Sequence, residues 1–222
     1  MKHTPSAAPA ARLLAAAHAM GVPLDPADAG ALVALLDRVS LEPQNLTAIE
    51  AVTEGVDRHL ADSIAALGPP PALASPLCDL GSGGGFPGLP LAMCRPDLRI
   101  TLVESERRKA DWLGRASAAL PNVEVVNDRS ETFARHSREA FAAVTARAVA
   151  PLVPCLELAA PLVAPGGRAV LWAGPRDRAA AADAAPVAQE LGLRLEEVRQ
   201  VTPFPGAQRA LLVYRKVGPT PA

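Results

Sequence analysis

The chain has 222 residues, half of them apolar, with a formal net charge of −1 and a mean hydropathy of +0.16. That length suits one α/β domain with a small extension, and near-neutrality excludes a strongly basic protein that holds nucleic acid by charge alone. Aromatic residues are 3% of the chain, so Ala, Leu and Val must build the core.

The charge is uneven. Residues 1–76 carry four Lys and Arg against eight Asp and Glu, and the remainder carries 18 against 15. The later part is mildly basic and rich in Arg, the better fork for phosphate. On charge alone, an ordinary solvated surface is the better account. Cys78, Cys94 and Cys155 are widely spaced, with no CxxC and no Cys/His cluster. This pattern predicts reduced thiols, a cytoplasmic chain and no metal site. Lys2 followed by Ala7–Met20 faintly resembles a signal peptide, but Arg12 and His18 interrupt it, and helical spacing explains it better. No run of eighteen apolar residues exists, so no membrane span is expected.

In chain order, residues 1–6 read as frayed and Arg12–Met20 as a helix stopped by Gly21. Asp25 caps a second helix, with Pro26 in its first turn, running to Ser40 with Leu32, Leu35, Leu36 and Val39 on one face. Leu41–Thr47 reads as a loop and Thr53–Leu67 as a third helix. Gly68-Pro69-Pro70-Pro71 is a hard stop. Strands are predicted at Pro76–Leu80, Arg99–Glu104, Val123–Asn127, Phe141–Thr145, Gly167–Trp172, Leu195–Thr202 and Arg209–Lys216. Helices are predicted at Leu89–Cys94, Glu106–Leu120, Pro151–Val163 and Asp177–Leu191. The last two strands flank Pro203–Gly206 and read as an antiparallel hairpin. The expected fold is α/β and Rossmann-like, with a mostly parallel seven-stranded sheet and a C-terminal antiparallel hairpin. Residues 1–70 form a small N-terminal helical extension and residues 71–222 the Rossmann-like domain.

The strongest motif is Asp79-Leu80-Gly81-Ser82-Gly83-Gly84-Gly85-Phe86-Pro87-Gly88, between a strand and a helix. Its glycines let the backbone turn sharply and let a ligand approach the main chain. Gly83, Gly85 and Gly88 satisfy the GxGxxG of dinucleotide sites, a weak match alone. Asp79, Gly81, Gly83 and Gly85 satisfy the acidic-x-Gly-x-Gly-x-Gly of Rossmann-like methyltransferases. An acid suits the ammonium and sulfonium of S-adenosylmethionine and repels a pyrophosphate. Glu104 ends the next strand, 19 positions after Gly85, where a carboxylate accepts from a ribose diol. It serves either cofactor, and a solvated strand end is the alternative. Pro165-Gly166-Gly167 before a strand is common late in methyltransferases. A nicotinamide-dependent oxidoreductase is the rival, but the single tyrosine, Tyr214, has no catalytic surroundings.

These segments together resemble the bacterial small-subunit ribosomal RNA methyltransferase G (RsmG or GidB) family. The matching pieces are Asn45-Leu46-Thr47-Ala48-Ile49, Arg58-His59-Leu60-Ala61-Asp62-Ser63, Asp79–Pro90, Leu102-Val103-Glu104-Ser105 with Lys109, and Ala146-Arg147-Ala148-Val149-Ala150, over roughly residues 40–175. The resemblance implies methylation of N7 of a guanine in the 530 loop of 16S ribosomal RNA, with S-adenosylmethionine and without a metal. It also implies that Gly81 and Phe86 line the cofactor site, that Ser130 and Glu131 sit beside the adenine, and that Arg147 lies where cofactor and substrate meet. Arg58, His59 and Asp62 belong to a segment that closes over the methionine end or the RNA. Two departures stand out: Gln44 replaces the family's frequent aromatic residue, and Ala173-Gly174, with Arg176 nearby, replaces a frequent Lys-Gly.

Guanine N7 has an in-plane lone pair and no proton, so its methylation needs positioning and no general base. Arg147, the catalytic candidate, is expected to hold a phosphate or guanine O6. An ion pair at the strand end is the alternative. His59 reads as a substrate contact or as a histidine bonded to Asp62. Trp112 offers a stacking surface, though core packing suits its helix better. Arg95, Arg99, Arg107, Arg108, Lys109, Arg129, Arg135 and Arg138 are the candidate RNA contacts. The expected partner is 16S ribosomal RNA within a 30S subunit or an assembly intermediate, and the expected state is a monomer. A methyltransferase for another RNA, a protein or a small molecule, and a non-catalytic cofactor-binding assembly protein, are the other readings.

Overall fold

The computed structural model describes residues 7–43, 46, 52–69 and 73–221. Residues 1–6, the Asn45–Ile49 motif apart from Leu46, and the boundary expected between residues 70 and 71 lie outside the described residues.

Seven strands form one sheet in the order β3-β2-β1-β4-β5-β7-β6. They are β1 (Leu77–Leu80), β2 (Ile100–Val103), β3 (Val123–Val126), β4 (Phe141–Arg147), β5 (Val163–Ala173), β6 (Leu193–Val201) and β7 (Arg209–Lys216). The first five run parallel, and β7 turns antiparallel between β5 and β6. The fold expected from the sequence is the fold found. Side chains alternate as period-2 strands require: Leu77 and Leu102 point to one face, Cys78, Leu80 and Val103 to the other. Chain order reverses between β1 and β4, and Leu77 of β1 pairs with β2 on one side and β4 on the other. In open α/β sheets that crevice takes the ligand.

Helices cover both faces. One layer is α1 (Ala7–Ala19), α2 (Pro26–Ser40), the turn run at 52–67, α5 (Gly88–Cys94) and α6 (Arg107–Ala116). Asp25 caps α2 by accepting from Asp28 N–H at 2.8 Å, as the sequence predicts. Its apolar side, Leu32, Leu35, Leu36 and Val39, joins a core continuous with Leu77, Ile100, Val170 and Val213 of the sheet. The N-terminal helices therefore form the sheet's second wall. The other layer is α7 (Ser130–His136), α8 (Leu152–Ala159), α9 (Pro175–Ala180) and α10 (Ala185–Glu190). Ala134, Leu156, Ala159 and Ala188 pack there against Val144, Leu171 and Tyr214.

Five predicted helices differ. The one expected at Arg12–Met20 begins earlier, at Ala7, and ends at Ala19. The single helix expected at Thr53–Leu67 is α3 (Val52–Gly55), a π-helical turn (Val56–Ala61), α4 (Asp62–Ile64) and a 3₁₀ turn (Ala65–Leu67). Asp62 N–H reaches the carbonyls of Asp57 and His59, which frees the Arg58 carbonyl to accept from Arg147 Nη1 at 2.7 Å. The helix expected at Asp177–Leu191 is broken into α9 and α10 by a turn at 181–184, because Pro186 has no N–H to donate to a continuing helix and fits the first turn of a new one. The helix expected to reach Leu120 stops at Ala116, where the Ser117 hydroxyl takes the Leu113 carbonyl at 2.8 Å. The helix expected at Pro151–Val163 ends at Ala159, since β5 begins at Val163. The short α7 is not anticipated in the sequence. No helix among the described residues is long and apolar enough to cross a membrane.

The shared core gives a prediction. Leu32 is fully buried, and Leu32→Ala should destabilise the protein by about 2–5 kcal/mol. In a denaturant titration, far-ultraviolet dichroism and tryptophan fluorescence should shift together as one transition. A lost early phase with an unchanged main transition would mean that the N-terminal helices fold as an appendage.

Candidate active site

The glycine loop leaves β1 at the sheet's switch point. Gly81 and Gly85 hold φ of +61° and +102°, and a Cβ on Gly85 would run into the Leu89 side chain. Three side chains brace the loop. Glu104, 7% exposed, accepts from Gly83 N–H and Glu106 N–H, each at 2.8 Å. Trp112 donates its indole N–H to the Gly84 carbonyl at 3.2 Å and is otherwise core, so the stacking alternative is not what this ring does. Asp79 is fully buried, accepting from the Thr145 hydroxyl at 2.7 Å and from Gly88 N–H at 3.2 Å.

Asp79 corrects one expectation. Its carboxylate points into the protein and offers the cofactor no free face. Burial pushes its pKa up to about 6, against the hydrogen bonds from Thr145, Ser82 and Gly88 that favour the charged form. The acid at the head of the motif is an internal brace. Thr145 had no sequence signal, because it becomes a partner only when β4 pairs with β1.

A second cluster stands beside the loop. The His59 and Phe86 rings stack with centroids 4.5 Å apart and planes 11° from parallel. Arg147 lies over Phe86 at 5.7 Å. Its Nη1 donates to Asp62 Oδ2 at 2.9 Å and its Nη2 stands 3.3 Å from His59 Nδ1. A guanidinium only donates, so Nδ1 is the acceptor and His59 is neutral. Burial first, then the Arg147 charge, lowers the His59 pKa to about 4. Burial raises the Asp62 carboxyl, and Arg147 and Arg209 oppose the rise. Trp172 donates its indole N–H to the Asp62 carbonyl at 2.7 Å.

The structure thus gathers Gly81, Gly83, Gly85, Phe86, Glu104, His59, Asp62 and Arg147 at one mouth. Arg58 joins through its carbonyl only, its side chain being paired with Glu54 at 3.0 Å on the surface. Ser130 and Glu131 open α7, with Glu131 paired to Arg129. Several candidate RNA contacts are neutralised locally: Arg95 by Asp97, Arg107 by Asp111, Lys109 by Glu106 and Arg129 by Glu131. Among the described residues no three His, Cys, Asp or Glu are grouped to hold a metal.

The donor set fits S-adenosylmethionine. The loop presents glycine backbone to a ligand, and each Glu104 oxygen has accepted one hydrogen bond and keeps a further lone pair for a ribose hydroxyl.

The sequence profile described as GidB, rRNA small subunit methyltransferase G, matches residues 28–210. The chain belongs to the rRNA small subunit methyltransferase G family. A ribosomal RNA small subunit methyltransferase G of Thermotoga neapolitana is 37% identical over 188 residues, covering 84% of this chain and 82% of that protein. Its counterpart from Sorangium cellulosum is 41% identical over 91% of this chain and 80% of that protein. Among solved structures, a point mutant of the 16S rRNA (adenine(1408)-N(1))-methyltransferase from Catenulisporales acidiphilia aligns with a TM-score of 0.55 at 17% identity, covering 68% of this chain and 88% of that chain. A predicted O-methyltransferase from Agrobacterium tumefaciens aligns with a TM-score of 0.53 at 22% identity, covering 73% of this chain and 81% of that chain. These likenesses establish the class I methyltransferase fold, and membership of the family makes the chain an S-adenosylmethionine-dependent enzyme.

Two predictions follow from this geometry. Gly85→Ala should weaken S-adenosylmethionine binding by tenfold or more in calorimetry, about 1.4 kcal/mol, because the left-handed backbone and Leu89 both oppose a methyl group. Unchanged affinity would place the cofactor elsewhere. The second concerns pH. Unfolded His59 titrates near 6.5 and folded His59 near 4, so between these values the unfolded chain binds more protons. This contribution lowers stability as pH falls through that window. Asp79, raised in the folded state, acts in the opposite sense from about 3.8 to 6 and is common to both proteins compared. The melting temperature of His59→Gln should therefore drop less than wild type between pH 7 and pH 5. An equal drop would mean that His59 is charged when folded.

Proposed function

We propose that this chain transfers a methyl group to N7 of a guanine in the 530 loop of 16S ribosomal RNA. The substrate is the 30S subunit or an assembly intermediate, and the enzyme acts as a cytoplasmic monomer. One observation supports the reading above others: the glycine loop and the His59–Phe86–Arg147–Asp62 cluster share a single mouth. S-adenosylmethionine, when bound, supplies a methyl group activated by its sulfonium.

The residues of the chain do the positioning. Gly81, Gly83, Gly85 and Phe86 form the floor, and Glu104 fixes the loop to β2. N7 carries no proton, so the neutral His59 is not needed as a base. Its ring covers Phe86 and its Nδ1 helps hold the Arg147 fork. Arg147 has both Nη atoms engaged by the chain and a side chain 15% exposed. It is a positioning residue that fixes the 52–67 segment against the end of β4. Near-neutral charge, with most surface arginines already paired, favours a folded particle over naked RNA as substrate.

The test is methyl transfer from labelled S-adenosylmethionine to 30S subunits lacking this modification, with naked 16S RNA alongside and nucleoside mass spectrometry of the product. New 7-methylguanosine supports the reading, and no transfer to either despite cofactor binding sinks it. In the same assay, Arg147→Ala should reduce kcat/KM by about 100-fold, near 2.7 kcal/mol, while S-adenosylmethionine affinity changes less than threefold. Equal losses would make Arg147 a cofactor-pocket residue.

A further inference from the structure

Asp62 is 2% exposed, and its two oxygens face arginines from two different strands. Oδ2 accepts from Arg147 at 2.9 Å. Oδ1 lies 3.5 Å from Arg209 Nε and makes no hydrogen bond. Buried acceptors are normally paired, so this oxygen marks a contact that is electrostatic and not closed.

The two arginines differ in what they have left to give. Arg147 is 15% exposed and committed to Asp62, His59 and the Arg58 carbonyl. Arg209 is 36% exposed, and among the described residues Asp62 is its one partner. Its position is set by topology. β7 runs antiparallel to β5 with Ala173 opposite Ala210, so residue 209 stands beyond the C-terminal end of β5. Gly81, just after β1, and Arg147, the last residue of β4, mark the same edge. Arg209 Nη1 comes within 3.8 Å of the place a Cβ on Gly174 would take. Asp177, the next carboxylate, accepts from Gly174 N–H at 3.3 Å and makes no ion pair with Arg209. Two guanidinium groups share the Asp62 carboxylate and His59 is neutral, so the cluster around Asp62 holds one cation in excess.

We propose that Arg209 grips a backbone phosphate of the target RNA strand, with Asp62 as its buried anchor. This rests on the reading of the site as an RNA methyltransferase. A planar fork held from behind through Nε leaves both Nη groups to meet two phosphate oxygens. The contact sits at the edge where a nucleotide must enter to reach the glycine loop, so it fixes the strand's register.

The test compares wild type, Arg209→Gln and Arg209→Lys as full chains. Three quantities are read: S-adenosylmethionine affinity by calorimetry, KM and kcat for unmodified 30S subunits, and retention of 30S subunits and 16S RNA on filters across a salt series. Arg209→Gln should leave cofactor affinity within about twofold and weaken RNA binding about tenfold, with the salt slope smaller by about 0.7 to 0.9, the loss of one phosphate contact. Arg209→Lys should restore the slope, since the charge returns without the fork. Cofactor affinity falling in step with RNA binding, or an unchanged salt slope, overturns the proposal. Filter retention does not need turnover. A wild type that binds RNA with the Arg209-dependent slope but forms no 7-methylguanosine would keep this contact and sink the proposed reaction. A wild type that retains no RNA would overturn both.

Discussion

Asp62 is the buried charge on which the arrangement of the mouth depends. It sits among apolar helix residues, and its burial is tolerated because Arg147 and Arg209 approach from β4 and β7. Its carbonyl also takes the Trp172 indole N–H from β5. One residue therefore ties the N-terminal helical layer to three neighbouring strands. Replacing it with an apolar residue would leave two cations crowded at one edge, whereas a well-packed apolar site there would never have assembled the cluster.

The rest of the site is built outward from this tie and from the Asp79 brace. Asp79 joins β1 to β4 through Thr145 and to α5 through Gly88 N–H. Glu104 joins the loop to β2, and Trp112 joins it to α6. The loop is thus hydrogen-bonded to elements on every side before any ligand arrives. Such a site is pre-organised, which matters for a reaction whose demand is alignment and not proton transfer. His59 serves the same end: desolvated and neutral, it can stack on Phe86 and accept from Arg147 without adding a third positive charge.

Much of this was legible in the sequence. Short apolar and β-prone runs between helical segments located all seven strands, and Asp25-Pro26 located the start of α2. The glycine loop, Glu104 and the Arg-His-x-x-Asp-Ser segment pointed to one site because each motif has a local cause. What escaped reading depended on long-range partners. The inward turn of Asp79 is set by Thr145, 66 residues away. Arg209 looks like any strand-opening arginine until β7 is placed antiparallel beside β5. Pro186 marked the break just before it, but the alanines around it carried a stronger helical signal. The irregular course of 52–67 needed the Arg147 contact, which pattern cannot show.

That irregular course has a consequence for length. In an α-helix each residue turns the chain by about 100°, and a π-helical turn holds one residue more than that geometry allots. The extra residue at Val56–Ala61 is what lets Arg58 present its carbonyl, and His59 and Asp62 their side chains, to the same strand ends. Removing any one residue there would let the segment relax to an ordinary helix, and everything before the deletion would swing by roughly a quarter turn. The segment thus tolerates substitution far better than it tolerates a change in count: its information lies in how many residues it has as much as in which ones.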